Sequence, residues 1–474
     1  MLTVMKFGGN TVATAERVSN TAKIICSYYK SNNKLIIVVS AIKGITDELV
    51  SICESIKRND ERTTNALLSS IINKHTEIVN NLRLQESNRR ELSNVIDTLT
   101  RELSSVINGL LLIKEVTPRS MDYILSFGER LIAPVVCYAL RDIGVKAEYM
   151  SGKDAGIVTD STYGNAKPLM DTTRLRIRHR LEPMLDNGIV PIVTGFIGVD
   201  QYDNITTLGR GGSDYTATII ASCLDADEIV LWSDVDGLMT ADPKIVKNAQ
   251  VLREVSYNEA MEMALFGAKY LHPRALEPVL DKGIPIRIRN AFNLEEQGTL
   301  IVKNSNAYSN KIVKAVTAIK NMALIDVRGT SMIGSPGTAG KIFSMLGNDG
   351  INIVMISQGP SESSISIVVR KSDLDKAVNT LELNLLGKVI KSINVTDDVA
   401  IIAVVGSGMR GTKGVAARVF SAVARQGINV IMIAQGSSEL NLAFVVEHAY
   451  ADDAVKALHE EFELHNINNI INAD

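Results

Sequence analysis

The chain has 474 residues, too many for one ordinary domain, and 46% hydrophobic and 22% charged residues place it among globular proteins. A net charge of −3 gives no reason to expect nucleic acid or an anionic membrane as a partner. No apolar run reaches the roughly 18 residues of a membrane span, so none is expected.

The first run, Leu2–Met5, reads as a buried strand ending in Lys6-Phe7-Gly8-Gly9. A glycine pair before a helix (Ala15–Ser27) offers backbone amides to an anion, and Lys6 can neutralise charge on a phosphoryl group; a lysine at a surface strand end reads the same in isolation. Leu35–Ser40 is a second strand, with the hydroxyls of Ser40 and Thr46 just beyond it. Cys26, Cys53, Cys137 and Cys223 form no CxxC pair and the histidines no HxxxH pair, so no disulfide framework or zinc site is expected, and a reducing, cytoplasmic setting fits.

Residues 47–116 are polar, strandless and spaced as helices, which predicts a helical insertion near a site mouth or, more plainly, an outer helical layer. Ser126-Phe127-Gly128-Glu129-Arg130 follows, where Glu129 suits an ammonium or pairs with an arginine. The basic run Arg174, Arg176, Arg178 and Arg180 reads as a solvated face. After the strand Ile189–Thr194 comes the most informative block, Thr206–Asp214. It gathers Arg210, three glycines, Ser213 and Asp214 in one turn before a helix (Tyr215–Cys223), a set suited to a carboxylate or phosphate. Glu228–Trp232 is a strand running into Ser233-Asp234-Val235-Asp236-Gly237, either an Asp-Gly turn or acids near a nucleotide and its magnesium. Ala241-Asp242-Pro243-Lys244 adds a cation for phosphate, and Ile284–Ile288 is a further strand. Strands alternating with helices over 1–303 predict a three-layer α/β/α domain with a mostly parallel sheet.

Residues 303–311 turn polar and read as a linker. Beyond it, Ile325–Val369 superposes without a gap on Ile402–Val446. Each copy reads strand, glycine loop, helix, Gly-Ile-Asn turn, strand, strand and helix, the order of a small ferredoxin-like βαββαβ domain. Gly406-Ser407-Gly408-Met409-Arg410-Gly411 imitates a dinucleotide fingerprint, but its twin lacks the middle glycine and no acid follows at the proper distance, so no dinucleotide is expected.

These pieces suggest phosphoryl transfer from ATP-Mg²⁺ to a small anionic acceptor. No nucleophile–base dyad stands out, and a carboxylate acceptor needs none because it is ionised at neutral pH. The ordered motifs KFGG (6–9), VVSA (38–41), SFGER (126–130), VTGFIG (193–198), TTLGRGGSD (206–214), DVDG (234–237), ADPK (241–244) and FGAKYLHP (266–273) resemble those of aspartokinases, and the tandem repeats resemble their paired ACT domains.

The resemblance implies a catalytic domain over 1–303, a linker and strand over 304–322 that completes the second ACT copy, and ACT domains over 323–392 and 393–470. It implies that Lys6 stabilises the transferred group, that Asp214 organises Lys6, and that Arg210 acts with them. Ser40, Thr46, Glu129, Arg210 and Ser213 would bind aspartate, with Glu129 on the ammonium and Arg210 on the α-carboxylate. Gly8, Gly9, Ser233, Asp234, Met239, Lys244 and Lys269 would border the nucleotide, with magnesium carried by ATP. The product would be 4-phospho-L-aspartate, the entry to lysine, threonine and methionine synthesis. Asn352, Gln358, Asn429 and Gln435 would hold an effector, threonine first and lysine second, in a homodimer or dimer of dimers built through the ACT domains.

The sequence departs from the family pattern at Asn10, Ser233, Met239 and Lys244, which touches nucleotide binding more than reaction type. Two alternatives stand beside this reading: a relative acting on another acidic amino acid such as acetylglutamate, and an amino-acid sensor with a decayed kinase domain.

Overall fold

The computed structural model describes residues 1–470 except 32, 268–270, 306, 309–310, 330–336, 360–362 and 388–389, with the side chains of 468–470 also outside the description. Two compact units emerge. The first comprises 1–238, 253–260 and 269–305, and the second comprises 239–252, 261–268 and 306–474.

In the first unit, β1 (Leu2–Phe7), α1 (Ala15–Lys30) and β2 (Lys34–Val39) open the chain. Then come the helices α2 (Ile45–Lys57), α3 (Glu61–Asn81), α4 (Glu86–Ile113), α5 (Pro118–Leu125) and α6 (Phe127–Asp142). After them follow β3 (Ala147–Met150), α7 (Gly152–Ala155), α8 (Met170–Asp186), β4 (Val190–Thr194), β5 (Ile197–Val199), β6 (Ile205–Thr207), α9 (Gly212–Leu224) and β7 (Glu228–Ser233). β8 (Glu254–Ser256), β9 (Ile286–Asn290) and β10 (Thr299–Val302) complete it, and α10 (Tyr257–Leu265) begins in this unit and passes into the second after Ala260. The sheet runs β3-β4-β2-β1-β7-β9-β10-β8, parallel throughout except between β9 and β10. β1 and β2 are apolar on both faces because helices cover both, which is why their sequences read as runs rather than alternations. The carboxyl ends of β4, β2, β1 and β7 therefore stand side by side along one edge.

The helices between β2 and β3 join this core. Thr117 caps α5 on the Ser120 amide with Pro118 in the first turn, and Asp60 caps α3 on Thr63. Ile52, Ile71, Leu103 and Ile107 belong to one apolar cluster with Phe127, Leu131 and Ile37. Pro118–Asp142 is long and apolar enough to cross a membrane, contrary to the expectation from run length. Its apolar window is 89% buried inside the protein, so it is the core helix pair of this unit.

His75 lies wholly buried in this layer, its Nδ1 facing the Ile71 carbonyl at 2.8 Å. Burial pushes its pKa down to about 4. The unfolded chain binds a proton below about 6.5, so this stability is complete above pH 6.5 and drains as pH falls towards 4. The expected result is that the melting midpoint of the wild type falls between pH 7 and 5 more steeply than that of His75→Met; parallel curves would contradict it.

The second unit carries β11 (Ala315–Arg328), α11 (Thr338–Asn348), β12 (Met355–Gln358), β13 (Ser364–Arg370), α12 (Leu374–Leu385) and β14 (Ser392–Val405), followed by α13 (Val415–Arg425), β15 (Met432–Ala434), β16 (Asn441–Glu447) and α14 (Ala451–Glu461). They form one antiparallel sheet ordered β12-β13-β11-β14-β16-β15. β11 and β14 run antiparallel through both repeats: Met322–Arg328 meets β13 in the first, and Ala315–Ile319 pairs with Ile401–Val405 in the second. A register shift near Met322 marks the passage from one repeat to the other. Gly406 and Gly408 sit against the 311–314 backbone, where a Cβ would lie 2.5 Å and 2.3 Å from carbonyl oxygens. That close approach gives Gly406 and Gly408 a packing reason, and Gly411 turns at φ +70°. Thr240, on the 239–252 segment, accepts a bond from Val316 N at 2.8 Å and meets His459 Nε2 at 3.0 Å.

Candidate active site

A cavity of about 560 Å³ opens at the carboxyl edge of the first unit's sheet. Lys6, Ser40, Thr46, Glu129, Arg210, Ser213 and Asp214 all line it, residues drawn from five separate stretches of chain.

Lys6 leaves the end of β1 and its Nζ stands 2.6 Å from Asp214 Oδ1, both side chains about seven-eighths enclosed. Gly8 donates its amide to the Trp232 carbonyl at 3.0 Å, which ties the Lys6 loop to β7. Gly9 faces the main chain after β2, where a Cβ would lie 2.2 Å from the Ala41 carbonyl. Only glycine lets these two strand ends approach so closely. Gly211, at φ +73°, caps α9, so Gly212, Ser213 and Asp214 form the first turn of a buried helix beside the cavity. Gly195 packs flat against Ser213, and a Cβ there would meet Ser213 Cβ and Oγ at 2.6 Å. Ser213 Cα would lie 2.8 Å away as well, so Gly195→Ala should displace the Ser213 turn, lower kcat/KM for the acceptor about tenfold or more and lower the melting temperature, read by kinetics beside a thermal melt.

Glu129 is 3% exposed in the first turn of α6. Its Oε1 accepts from Ala41 N at 3.1 Å, while Oε2 is buried without a partner. Burial pushes its pKa up to about 8, against the pull of that amide and of Lys6. The pairing with Arg130 that the sequence allowed does not form. Arg130 binds Glu102 at 2.8 and 2.9 Å and stacks on Phe127. A buried carboxylate oxygen with no donor, in a cavity that also holds Arg210, suits a ligand carrying both an ammonium and a carboxylate.

The nucleotide candidates divide. Ser233 and Asp234 stand at the end of β7, beside the Gly8–Gly9 turn that follows β1, and none of the four lines the cavity. Asn10 donates to Asp234 Oδ2 at 2.7 Å and is itself held by Arg17. Asp236 accepts from Asn290 and Asn293. Met239 and Lys244 lie on the 239–252 segment of the second unit and do not line the cavity, and Lys269 falls outside the described residues. Asn352, Gln358, Asn429 and Gln435 are exposed in the second unit, two per repeat, at matching places around the edge strands β12 and β15. Among the described residues no cluster of three or more His, Cys, Asp or Glu converges as a metal site.

Several residues in or beside the cavity carried no assigned role in the sequence, although Phe196 and His272 fall within the VTGFIG and FGAKYLHP motifs. Asp122, Tyr163 and Phe196 line the cavity. His272 packs against Gly211, and burial beside Arg210 and Arg274 pushes its pKa down. Arg274 bonds Leu208 O at 3.1 Å and Ala166 O at 2.8 Å and lies over Tyr215.

Comparison with known proteins agrees with this geometry. Residues 1–290 match the amino acid kinase family, and 325–385 and 402–462 each match the ACT domain. The chain is 34% identical over 472 residues to aspartokinase 1, chloroplastic, of Arabidopsis thaliana, covering 97% of this chain and 80% of that protein. It is 34% identical over 475 residues to bifunctional aspartokinase/homoserine dehydrogenase 2, chloroplastic, of Zea mays, covering 98% of this chain. The chain spans about half the length of that bifunctional relative, 51%. Among solved structures, E. coli aspartokinase III in complex with aspartate and ADP (R-state) superposes with a TM-score of 0.84 at 29% identity, covering 97% of this chain and 99% of that one. The same enzyme in complex with lysine and aspartate (T-state) superposes with a TM-score of 0.79 at 28% identity and the same coverage.

Proposed function

The chain belongs to the amino acid kinase family, and within it to the aspartokinases, and from that premise we propose that it transfers the γ-phosphoryl group of ATP to the side-chain carboxylate of L-aspartate. The product is 4-phospho-L-aspartate, the entry to lysine, threonine and methionine synthesis. The observation that carries the reading is the unpartnered Glu129 Oε2 in the cavity that also holds Arg210. An acylated amine such as acetylglutamate brings no ammonium to Glu129. The Lys6–Asp214 pair is intact, which speaks against a decayed catalytic domain.

The acceptor carboxylate is ionised at neutral pH, so no base is required. One acceptor oxygen forms a bond to the γ-phosphorus while the bond to the bridging oxygen breaks, and ADP departs with the electron pair. Glu129 and Arg210 orient the acceptor, with Ser40, Thr46 and Ser213 as hydroxyl donors. Lys6, oriented by Asp214, meets the charge on the transferring group. Gly8, Gly9, Ser233 and Asp234 border the nucleotide. The exposed Asp234 carboxylate is a hard oxygen donor that fits magnesium brought by ATP, and the ion, when bound, neutralises phosphate charge.

The paired ACT copies bind an amino-acid effector that inhibits the reaction, threonine first and lysine second, in a homodimer or dimer of dimers. The paired Gln358 and Gln435 support threonine; the lysine complex of the E. coli neighbour supports lysine. The test is to trap the acyl phosphate with hydroxylamine, using ATP-Mg²⁺ and L-aspartate, and to add threonine and lysine in turn. Aspartate-dependent hydroxamate is expected. Its absence, with ATP still bound, overturns the kinase reading, and no inhibition by either amino acid overturns the effector reading.

A further inference from the structure

The cavity contains a second buried carboxylate that the phosphoryl chemistry leaves without a task. Asp122, on α5, is 1% exposed and lines the cavity. Its Oδ2 accepts from Gly164 N at 2.9 Å and from Thr207 N at 2.8 Å, and its Oδ1 accepts from Thr207 Oγ1 at 2.8 Å. Three neutral donors hold this buried carboxylate in place. Burial pushes this carboxyl's pKa up and these bonds hold it back.

The donors belong to two segments far apart in sequence, the 160–167 loop and the end of β6. Ala166 N also donates to the Thr207 carbonyl at 2.9 Å. Gly209, at φ +75°, lies so close to the loop that a Cβ would sit 2.9 Å from Asn165 Oδ1. Arg274 closes the far side through Asn165 Oδ1 at 2.5 Å and the carbonyls of Leu208 and Ala166. Beyond the fastened loop, Asp200 holds the Tyr163 hydroxyl at 3.0 Å. Tyr163 and Gly164 on one segment, and Arg210 on the other, all face the cavity.

We propose that Asp122 is a positioning residue of the acceptor subsite: it fastens the 160–167 loop to the end of β6 and so fixes the Arg210 turn against the Tyr163–Gly164 wall. The acceptor's identity rests on the aspartate-kinase reading; the fastening does not. The test uses the full chain as Asp122→Asn and as the milder Thr207→Val, which removes one bond and keeps the shape. Amide hydrogen exchange is read at 163–167 and 206–212 without ligand, and steady-state kinetics are read with aspartate and ATP varied separately. Asp122→Asn is expected to speed exchange in both segments and to raise the aspartate KM about tenfold or more while the ATP KM stays within about twofold. Thr207→Val is expected to shift both readouts the same way by less. Unchanged exchange in both variants, or an ATP KM that rises in step with the aspartate KM, overturns the proposal. Exchange is read on the empty protein, so a wild type inactive towards aspartate sinks the function reading alone.

Discussion

Lys6→Ala is expected to lower turnover by about a thousandfold while leaving the aspartate KM nearly unchanged. Phosphoryl transfer offers a protein little covalent chemistry, so its rate rests on fixed charge aimed at the transferring oxygens. Lys6 is the cation at the end of the central strand, and Asp214 at 2.6 Å holds it. Removing one such charge typically costs a factor of about 10²–10³ or more. Asp214→Asn should reproduce much of the loss, and the double variant should be little worse than Lys6→Ala, because the pair acts as one device. The enclosed Asp214 is left without its partner in Lys6→Ala, so a melt must accompany the kinetics. Unchanged turnover in a folded Lys6→Ala protein would remove the residue from its assigned role.

Glu129→Gln is expected to raise the aspartate KM about a hundredfold, which corresponds to about 3 kcal/mol for the loss of a charge from an enclosed ion pair. The amide keeps the shape and can still accept from Ala41 N, so the loss reports on the charge. A pH signature accompanies it. In the empty protein Glu129 sits near 8 because of burial, so at pH 7 it is mostly protonated. Binding an ammonium requires the ionised form, so aspartate binding expels a proton below pH 8. The kcat/KM for aspartate should therefore climb as pH rises from 6 towards 8, by up to about tenfold per unit, and level off above it. The slope should vanish in Glu129→Gln. A wild-type profile flat from pH 6 to 8 would show that another group holds the ammonium.

The parts of the fold and site that were legible share a physical cause. Short apolar runs bounded by glycine or turn residues announced β1, β2, β4 and β7, and parallel pairing then obliged their carboxyl ends to line one edge. Lys6 stands at the end of β1, and Ser40, Glu129 and Arg210 stand in a turn or first helical turn, so local spacing exposed them. The illegible parts depend on partners far away in the chain. Nothing near Asp122 announces Thr207, nor does anything near Asn10 announce Asp234. The Glu129–Arg130 neighbourhood suggested an ion pair, but a helix points adjacent residues in different directions, and Arg130 found Glu102 instead. The segments 239–252 and 261–268 stand among sheet strands in chain order, and only packing shows that they cluster with the repeats.

The two long strands β11 and β14 carry a consequence for how the chain can be divided. Each repeat completes its sheet with the continuation of a strand that begins in the other, so neither owns a full set of its own. A cut between the copies, at 392, strips the first of its closing strand and leaves Ala315–Ile319 with no neighbour on the β14 side. The duplicated halves should therefore melt as a single cooperative transition, and neither should survive expression alone. What reads along the chain as two modules in tandem is, to the forces that hold it, a single body with two faces.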